Sequence, residues 1–315
     1  MRALKKNGSS KFIVITGPTA SGKTQLSVAL AEILNSEIIS ADSRQIYKYL
    51  DIGTAKPDPE EMKKVKHHLI SILEPDQYFS AGEYQKMARK CLKEIFLKGE
   101  IPIVAGGSGL YISALVEGVF EGDYKDDAVR AQFKEIERER GSAHLFRILE
   151  KMDPETAMKI HSNDSKRIIR ALEVCTISGR KMSDLTREKT KKCNYSPVYF
   201  GLLWERRELY NRINIRVEKM VEKGLFQEVR RILKMGFSPD LNSLDSVGYK
   251  EVLRYFNGEL SEREAVELIK QNTRRYAKKQ MIWFRKNPEI KWLPADSSVS
   301  FTKIAEKIAE EFIQK

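Results

Sequence analysis

The string "GPTASGKT", Gly17 to Thr24, fits the pattern G-x-x-x-x-G-K-[ST]. Its residues are Gly17, Pro18, Thr19, Ala20, Ser21, Gly22, Lys23 and Thr24. Glycines in such a loop let backbone N–H groups close around phosphate oxygens at a helix N-terminus. Lys23 adds a mobile positive charge, and the Thr24 hydroxyl is placed to ligate Mg2+. The apolar run "KFIVIT" precedes the string and a helical pattern follows it, which is the context such a loop requires. The loop is a phosphate site, and ATP is only one of the phosphates it could hold.

A nucleoside triphosphatase usually sets a carboxylate on Mg2+ at the end of a nearby strand. The run "IPIVA", 101–105, ends instead in "GGSG", with no Asp or Glu. The acid that does follow a strand is Asp42, in "SADSRQIY". A single carboxylate facing the loop suits proton abstraction as well as metal binding. On position alone, a helix N-cap is a comparable reading of Asp42. Ser108, inside the glycine turn, is likewise either a cap or a hydrogen-bond donor.

The elements that position these groups follow from periodicity. Short β-branched runs at 11–16, 36–40 and 101–105 alternate with helical patterns at about 22–34 and after Ser80, which precedes a helix ending at Gly99. That order predicts a parallel α/β sheet. From 119 to 195 only helical spacing is present. "PVYFGLLW", 197–204, reads as a returning strand, and "EIKWL" as a last short one. Helices are predicted over about 261–286 and 301–314. The expected fold class is therefore α/β, a P-loop parallel-sheet core with an inserted all-helical domain. The core takes 1–118 and 196–315, and the insertion 119–195.

The chain has 315 residues, with 56 Lys and Arg against 44 Asp and Glu. The formal net charge of +12 fits a polyanionic partner, although many basic proteins bind no nucleic acid. Cys91, Cys175 and Cys193 form neither a C-x-x-C pair nor a zinc pattern, so a reducing compartment is expected. The basic N-terminus leads to too short an apolar run for a signal peptide or a membrane span. A cytoplasmic protein is expected, monomeric and with no obligate protein partner.

Longer strings carry a more specific signal. "GPTASGKT", "ISADSRQIYKYLDIGTAKP" and "GGSGLYISAL" resemble the tRNA dimethylallyltransferases, also called tRNA isopentenyltransferases, of bacterial type. The resemblance continues in "DPETAMKIHSNDSKRIIRALEV", "GLLWERRELYNRINIRVEKMVEKGL", "VGYKEVL" and "TRRYAKKQMIWFRK", covering about 11 to 293. It implies transfer of a dimethylallyl group from dimethylallyl diphosphate to N6 of adenosine 37, beside the anticodon. It also implies that the helical insertion grips the tRNA anticodon stem-loop.

The resemblance further implies residue roles. Asp42 matches the general base that takes the N6 proton. Asp42, Ser43, Arg44 and Gln45 match one tRNA-contacting region, and Lys166, Arg167, Ile168, Ile169 and Arg170 another. Ser108, where the family usually has Thr, and Arg130 match further tRNA positions. Thr19 to Thr24 would hold the diphosphate with Arg216, and Mg2+ on Thr24 would assist. Departures from the family pattern are Ser162 for Pro and Lys279 for Arg, and Lys cannot make the forked contact of Arg. The eukaryotic members' C-terminal zinc finger is not expected.

On the long predicted helix, Glu262, Glu264 and Glu267 sit at the favourable N-terminal end. Arg274, Lys278 and Arg285 share a face, with Arg275 and Lys279 adjacent. That face is either solvated or in contact with RNA or diphosphate. A small-molecule kinase would need a lid and a Mg2+ carboxylate, and the sequence offers neither convincingly. A free adenylate isopentenyltransferase would need no helical insertion, and a pure RNA binder no Asp42 beside a phosphate loop.

Overall fold

The computed structural model describes residues 10–314 except 121, 123 and 299. The chain forms two compact units: Met1–Val116 with Cys193–Lys315, and Glu117–Lys192.

The first unit opens with β1 (Lys11–Thr16), α1 (Lys23–Leu34), β2 (Ile38–Ser40), α2 (Pro59–Lys64), β3 (His67–His68), α3 (Ala81–Leu97), β4 (Ile103–Ala105) and α4 (Gly109–Val116). The second unit holds α5 (Asp127–Arg140), α6 (Ser142–Met152), α7 (Pro154–Ala157), α8 (Ser165–Ser178) and α9 (Met182–Lys189). The chain then returns through β5 (Ser196–Trp204), α10 (Arg206–Glu222), α11 (Leu225–Lys234), α12 (Tyr249–Phe256), α13 (Glu262–Phe284), β6 (Lys291–Ala295) and α14 (Phe301–Ile313).

The six strands are all parallel, in the order β3-β2-β4-β1-β5-β6. β1 is central, with Ile13 beside Ile103 of β4 and Val198 of β5. Its residues alternate between two cores. Ile13 and Ile15 pack with Leu26 and Ile308, whereas Phe12 and Val14 pack with Tyr84 and Leu92. Both faces are thus covered, as a parallel sheet requires, and each such burial contributes about 1.5–3 kcal/mol. A third core joins Ile46 and Leu50 to Val229, Tyr249 and Ile269 of the C-terminal helices.

The strand order decides where chemistry occurs. β2, β4 and β1 are neighbours, so the segments leaving their C-terminal ends lie side by side. Ligands of open α/β sheets bind at that edge. Ala41 N donates to Ala105 O at 2.8 Å, Gly106 N to Ile15 O at 3.2 Å and Ser108 N to Ala41 O at 3.1 Å. These bonds stitch the three segments together.

The predicted helix after Ser80 is α3, and Ser80 with Glu83 forms a capping box. Ser261 and Glu264 do the same for α13. β2 begins at Ile38, two residues later than the apolar run implies, and β6 runs two residues past the expected 289–293. α2 was not expected, although Asp58 and Glu61 make a further capping box there. β3 has two residues, too few for any periodic signal. Cys91 and Cys175 are buried and all three cysteines are free. Among the described residues no helix is long and apolar enough to cross a membrane.

In the second unit, Leu145, Leu149, Ile168 and Leu172 form the core. Ile168 and Ile169 are 0% and 6% exposed, so their side chains pack inward and leave only their backbone for the expected RNA contact. Two buried carboxylates brace the unit. Asp153 accepts from the backbone and hydroxyl of both Thr156 and Ser183. Glu173 accepts from Arg130 at 2.9 Å, Arg170 at 2.7 Å and Asp126 N at 3.1 Å.

Candidate active site

A cleft of about 580 Å³ opens at the C-terminal edge of β1, β2 and β4. Thr19, Lys23 and Thr24 line it from the loop after β1. Asp42, Ser43, Arg44 and Gln45 line it from the segment after β2, and Gly106 and Gly107 from the turn after β4. Arg216 enters from α10.

The loop adopts its shape through residues at positive φ: Gly17 at 143°, Ala20 at 63° and Gly22 at 95°. A Cβ on Gly22 would lie 2.1 Å from the ring of Phe301, so only glycine fits there. From behind, Trp204 Nε1 donates to Ser21 O and Arg212 Nε to Ala20 O, each at 2.9 Å. The Arg212 guanidinium stacks 4.1 Å from the Trp204 ring. Gly17, Pro18 and Ser21 are buried behind the cleft, and Ala20 and Gly22 border a second cavity of about 750 Å³. These five contribute backbone, while Thr19, Lys23 and Thr24 present side chains.

Lys23 Nζ donates to Pro18 O at 2.7 Å. Burial, then the charge of Arg216, pushes its pKa down to about 7, with Asp42 opposing. Burial also lowers the Arg216 pKa, and Asp42 again opposes that shift. The cleft lining carries more basic side chains, Lys23, Arg44 and Arg216 among them, than its two carboxylates, Asp42 and Asp245.

Asp42 Oδ1 accepts from Arg44 N at 2.8 Å and Gln45 N at 3.3 Å. These bonds are those of a short capping turn. They fix the carboxylate while its Oδ2 has no hydrogen-bond partner among the described residues. No helix begins at Asp42, so the helix N-cap reading does not hold: Oδ1 braces a turn, and Oδ2 stays available to a ligand. Ser108 Oγ accepts from Tyr111 N at 3.4 Å, capping α4, and keeps its own proton to donate. Ser108 lies beside the cleft-lining Gly107 without lining the cleft itself.

Arg44 and Gln45 have internal partners. The Arg44 guanidinium donates to Asn242 O at 2.5 Å and Asp245 O at 3.2 Å, pinning that loop against the cleft wall. Gln45 Nε2 donates to Thr54 O and Ala55 O. Arg130, Lys166, Arg167 and Arg170 belong to the second unit, with Arg130 and Arg170 held on Glu173.

Several lining residues escaped the sequence. Gln280, 6% exposed, accepts from Thr19 N at 2.8 Å and donates to Gly107 O at 2.9 Å. It joins the phosphate loop to the turn that carries Ser108. His67 also lines the cleft. Its Nδ1 contacts Val65 O at 2.8 Å; a carbonyl only accepts, so Nδ1 carries the hydrogen. Burial lowers the His67 pKa, leaving Nε2 as a bare acceptor without a partner among the described residues. On α13, Arg275, Tyr276 and Lys279 line the cleft, whereas Arg274 donates to Asn214 at 2.6 Å. The neighbours of the basic face, rather than that face, meet the cleft.

The family model described as IPP transferase matches residues 45–287. The chain belongs to this family. A tRNA dimethylallyltransferase of Carboxydothermus hydrogenoformans is 49% identical over 305 residues, covering 96% of this chain and 97% of that relative. One of Thermotoga maritima is 48% identical over 282 residues, covering 90% and 92%. Among solved structures, the full-length tRNA isopentenylpyrophosphate transferase of Bacillus halodurans superposes with a TM-score of 0.71 at 38% identity, covering 98% of each chain. A eukaryotic dimethylallyltransferase acting on tRNA gives 0.81 at 28% identity, covering 97% of this chain and 80% of that one. For an IPP transferase, the missing acid after β4 has a plain meaning: the loop need not drive hydrolysis of a triphosphate.

Proposed function

We propose that the chain transfers the dimethylallyl group of dimethylallyl diphosphate to N6 of adenosine 37, in tRNAs that read codons starting with U. The products are N6-dimethylallyladenosine and diphosphate. One arrangement carries the reading: the Asp42 carboxylate, fixed by two backbone N–H groups, shares a cleft with Lys23, Thr24 and Arg216.

The exocyclic amine is a weak nucleophile, and allylic C1 becomes a good electrophile as its diphosphate departs. Negative charge builds on the leaving group, where loop amides, Lys23 and Arg216 oppose it. As the N6–C1 bond forms and the C1–O bond breaks, Asp42 takes the N6 proton. The adenine must first leave its stack to reach the cleft. Ser108, next to the cleft-lining Gly107, would donate a hydrogen bond to the part of the target nucleotide that lies outside the cleft.

The donor set fits Mg2+. The Thr24 hydroxyl lines the cleft beside Lys23, and Mg2+ is commonly held by one or two protein groups plus substrate phosphates. Bound there, the ion would neutralise charge on the departing diphosphate.

Ser43, Arg44 and Gln45 approach the anticodon loop from the core. Arg130, Lys166, Arg167 and Arg170 grip the stem through its phosphates, which position a nucleic acid without reading its sequence. The enzyme works in the cytoplasm, where its tRNA is.

Labelled dimethylallyl diphosphate should label an anticodon stem-loop carrying A36-A37-A38. Transfer to AMP in preference to the stem-loop would overturn the proposal. Asp42→Ala should abolish most turnover while tRNA affinity stays largely intact; undiminished turnover would remove Asp42 as the base.

A further inference from the structure

Glu228, on α11, is 3% exposed and belongs to none of the roles above. Its Oε2 accepts from Asp51 N at 3.1 Å and Ile52 N at 2.7 Å. Its Oε1 accepts from Gly53 N at 3.1 Å and from the Tyr249 hydroxyl at 2.6 Å. Successive backbone N–H groups of this kind form a nest for anions. Here a side-chain carboxylate from 175–177 residues away fills the nest. Burial, then the Glu228 carboxylate, pushes the Tyr249 phenol well up, so it stays a donor.

The seated turn is part of the cleft wall, since Gly53, Thr54 and Ala55 line it. Gly53 lies so close to Tyr249 that a Cβ would stand 2.4 Å from the ring. From the turn, the contacts run on to the base. Thr54 O and Ala55 O accept from Gln45 Nε2 at 3.3 and 3.2 Å, and Gln45 N donates to Asp42 Oδ1 at 3.3 Å. Glu228 thus holds the turn by three of its backbone N–H groups, the carbonyls of the same turn hold the Gln45 side chain, and the Gln45 N–H meets Asp42.

We propose that Glu228 is a positioning residue, which seats the Asp51–Ala55 turn in its anion nest and, through Gln45, fixes the orientation of Asp42. The proposal rests on Asp42 being the base. Misplacing a reacting group by a fraction of an ångström lowers turnover more than it weakens binding. Glu228→Ala should therefore reduce kcat by about ten- to a hundred-fold while KM for dimethylallyl diphosphate moves by about two-fold at most. Formate, a carboxylate small enough for the vacated nest, should restore part of the lost kcat, and formamide should not. An unchanged kcat, or equal rescue by both additives, would overturn the proposal.

If Glu228→Ala does not fold, Glu228→Gln and Tyr249→Phe carry the same test through the kcat and KM split. The double variant Glu228→Gln with Gln45→Ala should lose no more than the worse single variant, because both act on one line of contacts. Fully additive losses would reject transmission through Gln45. Amide exchange at Asp51, Ile52 and Gly53 should quicken in Glu228→Gln whatever Asp42 does. Failure of Asp42→Ala to lower turnover would thus reject the base and leave the seating of the turn separately measured.

Discussion

Lys23 carries the residue-scale chemistry because its environment makes its charge conditional. Burial and Arg216 bring its pKa to about 7, so it is cationic below that pH and loses its proton above it. A diphosphate ligand prefers the cation. Donor affinity should therefore weaken as pH rises through about 7, and binding at about pH 8 should take up a proton that binding at about pH 6 does not. Calorimetry in buffers of different ionisation enthalpy measures that uptake. Lys23→Arg, always charged, should abolish the difference, and an identical pH response in that variant would reject the assignment. A second residue-scale test is Gly22→Ala. Its φ of 95° alone costs a side-chain-bearing residue about 1–2 kcal/mol, and the Phe301 ring must also move. Both melting temperature and donor affinity should fall; a neutral outcome would show that α14 does not hold the loop.

At the scale of elements, the adjacency of β2, β4 and β1 brings Asp42, the glycine turn and the Gly17–Thr24 loop to one edge. α13 closes that edge with Gln280. In the second unit, α8 plays an analogous part. Its Glu173 holds Arg130 of α5 and Arg170 of its own preceding turn. Glu173→Gln leaves these guanidinium groups short of a charged acceptor, at a cost of about 1–3 kcal/mol. The expected result is weaker stem-loop binding with unchanged affinity for dimethylallyl diphosphate. Equal loss of both would mean that α8 supports the whole fold rather than an RNA contact.

For the whole molecule, charge and acid response are the readable consequences. With a net charge of +12, tRNA binding should weaken steeply with salt. Lys166→Ala should flatten the log–log slope by about one if that residue meets a phosphate. A slope indifferent to salt would argue against the basic contacts. Acid should loosen the second unit around its two buried carboxylates. Burial raises the pKa values of Glu173 and Asp153, but hydrogen bonds outweigh it and leave both lowered. Stability from a lowered carboxylate is fully present above its unfolded pKa, about 4, and is lost as pH falls through the folded value. Amide exchange in α8 should quicken at acid pH before that of β1, and the reverse order would contradict this account.

Local signals made much of this protein legible before its folding was known. The phosphate loop, the strands at 11–16 and 101–105, the Ser80 and Ser261 caps and the acid after β2 are all written within short windows. Periodicity and capping operate over such windows, so they survive in one dimension. The partners of those groups do not. Gln280 meets Thr19 across 261 residues, and Glu228 meets Ile52 across 176. The inward packing of Ile168 and Ile169, and the engagement of Arg44 with Asn242 and Asp245, were equally hidden. Only packing decides which distant side chain fills a backbone nest or bridges two loops. The sequence by itself therefore determined the loop, the acid after β2 and the caps, because each is written locally, while tertiary structure decided which distant side chains hold them in position.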